Sequence, residues 1–324
     1  MDIPMIRRRA EDSLSCAAYT PYRLALLHTG GALLLSLVTT LVSFLLTREI
    51  DTTGGLSGLG TRTILQTVRL LVILAGSAAV PFWDLGYLRA ALRTARGQTA
   101  DPAVLPEGFR RFGICLRLML LRSLLVVLIA MICVQLSSIL YLLSPFSLAL
   151  FEQAQDLMTA TDAALTQADM QALLPAAYPL YGILAVVMAV ALIPVLYRLR
   201  LAAWAGMDDA PGALAALRQS SRWMKGNRLQ LFRLDLSFWW YYALQLLATA
   251  VAYGDLALPL LGIQADKDGA FWVFYGLSLA LQLVVFWRFA PRVQTACAHA
   301  YEYLRTTPEP QPKPQPQPQN LPWD

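Results

Sequence analysis

Six stretches of this chain run for about 20 residues with almost no charge, the length an α-helix needs to cross a hydrocarbon core roughly 30 Å thick. They fall at residues 24–47, 64–83, 118–143, 180–197, 229–253 and 271–289. Lipid offers no hydrogen-bond partners, so each stretch must satisfy its backbone N–H and C=O groups internally, as a helix does. A β-barrel is excluded because the runs are continuously apolar rather than alternating. The expected fold is therefore all-α, a polytopic transmembrane helical bundle of about six spans carrying interfacial amphipathic helices, over residues 1–306. The chain is 57% hydrophobic and 15% charged, where a soluble domain runs near 45–50% apolar and about 25% charged.

Basic residues near span ends stay on the cytoplasmic side, and here 22 of the 26 Lys and Arg residues fall in four clusters. The clusters lie before the first span, from Arg89 to Arg122, from Arg198 to Arg233, and from Arg288 onward. Arg48, Arg62 and Lys267 fall on the opposite side, and Arg69 lies inside the second span. Six spans with both termini cytoplasmic satisfy this split, whereas five or seven would strand a basic cluster outside. The expected location is a cell membrane, of bacterial inner-membrane type. The first apolar stretch is too long for a signal peptide and reads as an uncleaved span.

Cys16, Cys115, Cys133 and Cys297 form no C-x-x-C pair, so neither a disulfide framework nor a zinc site is expected. The third connection, 144–179, has no Lys or Arg, and its middle at 152–174 reads as an external helical segment. Residues 307–324 alternate Pro with polar residues and read as a disordered, polyproline-like cytoplasmic tail. Such a tail is either a solvated spacer or a ligand for the aromatic groove of a protein partner. Each outward-and-return pair of spans is followed by a helical stretch, at 87–96, 197–206 and 293–304, which suggests three helical hairpins.

Two cytoplasmic segments carry basic side chains at helical spacing: Arg89, Arg93 and Arg96, and then Arg218, Arg222 and Lys225. In the second, Leu214, Leu217 and Met224 are assigned to an apolar face laid down on the membrane. These six cations are the candidate contacts for anionic lipid headgroups or an acidic partner, at about 1 kcal/mol each near an anionic leaflet. Ordinary positive-inside charge is the plainer use. Next comes an elbow, in which Gly226 is suited to ending a helix in the left-handed region and Asn227 to capping the following span. Asp235 lies near the membrane edge, within reach of Arg233 or a basic residue of another helix, either as a functional group or in a structural ion pair.

Met224-Lys225-Gly226-Asn227, followed by Leu231-Phe232 and Leu234-Asp235-Leu236-Ser237-Phe238, resembles the signature of the domain of unknown function 975 family of bacterial integral membrane proteins. Gly86-Tyr87, Ala95-Arg96-Gly97 and Gly108-Phe109-Arg110-Arg111-Phe112 fit the same pattern. The likeness extends over residues 22–303. After Phe238 the chain departs from it, with Trp239-Trp240-Tyr241-Tyr242. The resemblance implies a multi-span membrane protein and carries no activity with it. The four aromatics serve either as interfacial packing or as the lining of a cavity.

Nothing in the pattern calls for catalysis, a cofactor or nucleic acid. His28 and His299 lie near span ends without a carboxylate at ligand spacing, and no H-E-x-x-H, G-x-S-x-G or Walker A motif occurs. The Gly-rich run at 54–60 lacks the Lys-Ser/Thr of a phosphate loop and reads as a flexible connection. Arg69 and Arg122 lie near span ends, and Gln66, Gln135, Gln245 and Gln282 are suited to interhelical hydrogen bonds. The expected role is a non-enzymatic, membrane-embedded interaction or accessory module with a basic cytoplasmic face. The alternative is a transporter or permease component with Asp235, Arg122 and the Gln residues along its path.

Overall fold

The computed structural model describes residues 2–17, 20–52, 59–148, 151–152, 155, 167–208, 210–254 and 267–307. The tail at 308–324, most of the third connection and the greater part of the Gly-rich run lie outside these. The fold is all-α, and no strand occurs among the described residues. In chain order the helices are α1 (Ile3–Cys16), α2 (Thr20–Thr52), α3 (Leu59–Ala95), α4 (Glu107–Arg110), α5 (Phe112–Leu142), α6 (Gln167–Leu199), α7 (Ala202–Met207), α8 (Ala213–Trp223), α9 (Arg228–Leu236), α10 (Trp239–Val251) and α11 (Lys267–Thr306). A short 3₁₀ turn, Pro102–Val104, precedes α4.

Five helices, α2, α3, α5, α6 and α11, are long and apolar enough to cross a membrane. Their burial pattern inverts that of a water-soluble protein. No more than 11% of the most apolar stretch of any of them is buried, and Leu34, Leu71, Ile132, Val190 and Val273 all face outward. Side chains of this kind gain about 25 cal/mol per Å² on leaving water, so a surface built from them requires an apolar solvent. The molecule is a helical membrane protein.

The chain divides into two compact units, Met1–Arg110 with Leu229–Asp324, and Arg111–Arg228. In the first, α2 runs antiparallel to α3, with His28 beside Asp84 near one end and Ser43 beside Arg69 towards the other. It is likewise antiparallel to α11, through His28 with Phe286 and Phe44 with Trp272. At 37 and 40 residues, α3 and α11 extend about 55 and 60 Å, well beyond one bilayer crossing. Their C-terminal turns, together with α1 and the segment from Pro102 to Arg110, close a core around Ile6, Leu14, Leu92, Val104, Ala300 and Tyr301. Here the burial is that of an ordinary protein interior. Gly86 and Gly108 bring the backbones together: a Cβ on Gly86 would stand 1.8 Å from the Leu105 carbonyl oxygen, and one on Gly108 2.0 Å from that of Phe82.

The apolar stretch at 229–253 is not one helix. It breaks at Ser237–Phe238 into α9 and α10. Ser237 Oγ donates to the Leu234 carbonyl at 2.7 Å, and Phe238 N–H turns back to the Asp235 carbonyl at 2.8 Å. A serine hydroxyl in this arrangement competes with the helical ladder. The 13 residues of α10 extend about 20 Å, short of a full crossing. Nevertheless α10 runs antiparallel along α11, from the edge-on pair Trp240–Phe289 to the Ser278 hydroxyl bonded to the Ala248 carbonyl. It lies alongside the apolar part of α11 but is too short to stand with the five candidate spans, so the expected sixth continuous span is replaced by two short helices.

In the second unit α5 and α6 pack along each other, and α7 and α8 fold against the start of α5. Cys115 Sγ lies 3.8 Å from Met207 Sδ, and Arg111 donates to the Asp208 carbonyl at 3.1 Å. Of the three expected post-span helical stretches, 87–96 and 293–304 lie almost wholly within continuations of α3 and α11. The third, 197–206, is broken between α6 and α7. Gln167 onward in the third connection is the start of α6.

Candidate functional sites: a basic stripe and a hydroxyl-lined cleft

The six candidate cations divide into two groups with different surroundings. Arg93 Nη2 donates to Glu107 Oε1 at 2.7 Å, and Arg89 Nε stands 3.5 Å from Glu107 Oε2. Arg96 Nε donates to Glu302 Oε1 at 2.8 Å. All three arginines are mostly buried. They clamp the C-terminal turns of α3 to α4 and to α11, which are internal roles.

Arg218, Arg222 and Lys225 are exposed. The apolar face assigned to their helix needs correction. Buried positions of α8 are Ala213, Ala216 and Ser220, with Met224 following, whereas Leu214 is 60% exposed. At 100° per residue, Leu214, Arg218 and Arg222 fall within an arc of about 80°, and Lys225 follows in the turn just beyond the helix. The small side chains turn inward because they allow α8 to pack closely on α5, α6 and α7, and the Ser220 hydroxyl bonds to the Arg198 carbonyl at 2.8 Å. The apolar side of α8 is thus covered by protein, and its outer side is a basic stripe with one leucine.

The elbow residues fall in both units. In the second, Met224 is fully buried and Gly226 has φ +85°, the left-handed value expected of it. Asn227 does not cap the next helix through its side chain, for its Nδ2 donates back to the Trp223 carbonyl at 3.0 Å and closes the end of α8. In the first unit, Asp235 is buried and accepts from the Tyr242 hydroxyl at 3.3 Å. Phe238 is buried beneath the Arg7 guanidinium, 5.2 Å from its ring centroid, a cation–π contact. Asp235 and Arg122, paired in the transport alternative, belong to different units.

Two arrangements escaped sequence reasoning. The first is an aromatic-boxed His–Asp pair. His28 Nε2 lies 2.9 Å from Asp84 Oδ1, its ring stacks on Tyr87 and Phe286, and its carbonyl accepts from Trp83 Nε1. Fifty-six residues separate the pair, and no local spacing announces it. His299 is held separately, by Ser13 Oγ at 2.9 Å. No group of three or more His, Cys, Asp or Glu suited to a metal occurs among the described residues.

The second is a cleft of about 490 Å³ between α2, α3 and α11. One wall is a hydroxyl stripe on α2, Ser36, Thr39, Thr40, Ser43 and Thr47, and the facing wall on α3 includes Arg69, Ile73 and Ser77. The Tyr275 hydroxyl holds Ser36 and Thr40, each at 3.0 Å. Arg69 Nε donates to Ser43 Oγ at 3.0 Å, and neither of its Nη groups has a partner among the described residues. The sequence signal was present, since hydroxyls at 36, 39, 40, 43 and 47 repeat at helical spacing.

Comparison of the chain with protein-family models, with curated proteins and with solved structures finds no match. The class of protein stands on the fold itself: an all-α, multi-helix membrane protein.

Proposed function

We propose that the chain is a non-enzymatic accessory module of a bacterial cell membrane, with both termini cytoplasmic, that meets anionic lipid headgroups or an acidic partner through α8. The single observation that supports this is the exposed basic stripe of Arg218 and Arg222, continued by Lys225 in the turn that follows, on a helix whose opposite side is packed on protein. Arg89, Arg93 and Arg96 take no part in the contact, being committed to Glu107 and Glu302. The Pro-rich tail is a further contact for a protein partner, and the likeness of residues 224–238 to the domain of unknown function 975 signature agrees with a multi-span membrane protein of this kind.

Three basic groups near an anionic surface contribute together about 3 kcal/mol, roughly a hundredfold in affinity at low salt. Protein carried in neutral-lipid nanodiscs should therefore co-float with phosphatidylglycerol vesicles. The R218Q/R222Q/K225Q variant should lose most of that association, and 0.5 M salt should abolish it for the unaltered chain. Equal co-flotation of the variant would end the proposal.

A further inference from the structure

We infer that the α2–α3–α11 cleft is a binding site for an anionic phospholipid, whose phosphate sits on Arg69 and whose glycerol and upper chain lie along the hydroxyl stripe. An ionisable side chain within a membrane-spanning segment is costly unless a partner or water-filled space receives it. Arg69 lines the cleft, its Nε donates to Ser43 Oγ, and no carboxylate is among the residues lining the cleft with it. A guanidinium fork in that position is matched by the oxygens of a phosphate, which it can engage with two parallel bonds.

The lining selects the rest of the ligand. Ser36, Thr39, Thr40, Ser43, Thr47 and Ser77 interleave with apolar residues such as Phe44, Ile73 and Val80. The Thr47 hydroxyl already donates to the Ser43 carbonyl at 2.8 Å, the other hydroxyls can serve the ester and hydroxyl oxygens of a glycerol backbone, and the aliphatic and aromatic groups can serve methylenes. From Leu35 to Thr47 the α2 wall extends about 18 Å, longer than an inorganic anion needs. The cleft lies on helices whose outer surfaces already require lipid, so the ligand is at hand as the solvent.

The space is also maintained structurally. Thr39 fills against Gly76, where a Cβ would come within 2.5 Å of Thr39 Oγ1, so α2 and α3 touch there. The Tyr275 hydroxyl pins two of the α2 hydroxyls. The Arg69 side chain is therefore presented by a braced helix pair.

The test uses the full chain in a neutral detergent, with thermal unfolding followed by tryptophan fluorescence. Dioleoylphosphatidylglycerol should raise the Tm, whereas dioleoylphosphatidylcholine or inorganic phosphate at the same concentration should not. Arg69→Gln should weaken phosphatidylglycerol binding about tenfold or more, the effect of losing a charged hydrogen-bonded partner. Arg48→Gln removes a cation outside the cleft lining and should leave the shift intact. Should Arg69→Gln fail to fold, Ser77→Leu fills the cleft while keeping the cation, and it should reduce the shift equally. A full phosphatidylglycerol shift in Arg69→Gln, or in a folded Ser77→Leu, overturns the site. An equal shift from inorganic phosphate alone overturns the lipid as occupant.

Discussion

Asp84 Oδ1 and His28 Nε2 stand 2.9 Å apart and tie the start of α2 to the lower part of α3. The two ends of this bond are unequal. His28 is 3% exposed and stacked between Tyr87 and Phe286, whereas the Asp84 side chain is 54% exposed. Removal of the imidazole should therefore cost more than removal of the carboxylate. His28→Ala should lower stability by about 3 kcal/mol through the lost ring packing, and Asp84→Ala by about 1 kcal/mol. Thermal unfolding of the two variants in one detergent measures the order, and a larger loss for Asp84→Ala would contradict it.

Glu107 receives both Arg89 and Arg93 and so anchors the loop between α3 and α5. Glu107→Ala leaves two mostly buried guanidinium groups without their shared anion, at a cost of about 1–3 kcal/mol. Glu107→Gln retains one acceptor and should lose about half as much. The local consequence is opening of the Pro102–Arg110 segment, so trypsin should cut after Arg110 or Arg111 several-fold faster in Glu107→Ala. An unchanged cleavage rate would show that the two ion pairs do not hold the loop.

The same loop depends on two backbone approaches. Gly86→Ala and Gly108→Ala each place a methyl group within 2.0 Å of a carbonyl oxygen, which only a backbone shift relieves. Each should cost about 3 kcal/mol or more, at the upper end of overpacking. Gly113, near the start of α5, has nothing within 4 Å of its Cβ position. There Gly113→Ala should gain up to about 1 kcal/mol from helix propensity. Comparing the three alanine variants by detergent-phase unfolding separates contact from propensity, and equal effects would refute the close approach.

Much of this architecture was legible because hydropathy over about 20 residues reports the solvent around a helix directly. That is why α2, α3, α5, α6 and α11 coincide with apolar stretches. At 229–253 the same average hid a break, for neither the Ser237 hydroxyl bonded to Leu234 nor the turn at Phe238 alters mean apolarity. The cations were counted correctly, but their partners were not visible. Arg96 and Glu302 are 206 residues apart, and only the fold brings α3 and α11 side by side. The hydroxyl stripe of α2 was periodic and readable, yet it was submerged in the surrounding leucines. For Arg69, depth along the span mattered less than the absence of a neighbouring acid, which a single sequence does not reveal.

The helix α8 shows how side-chain size misleads. Its large apolar residues, Leu214, Leu217 and Met224, suggested a face for the membrane, whereas the buried arc is Ala213, Ala216 and Ser220 with Met224. Small residues at helical spacing permit close helix–helix approach in membrane proteins. Ala216 is fully buried, and its Cβ lies 3.9 Å from the Cβ position of Gly206. Ala216→Leu should therefore destabilise the second unit by about 1–3 kcal/mol through overpacking. Leu214→Glu alters an exposed position and should stay within about 0.5 kcal/mol. It should nevertheless weaken co-flotation with phosphatidylglycerol vesicles about fivefold, because it places an anion one turn from Arg218 in the same stripe. The reverse result, a destabilised Leu214→Glu beside a neutral Ala216→Leu, would turn α8 over and bury the stripe on which the proposed contact depends.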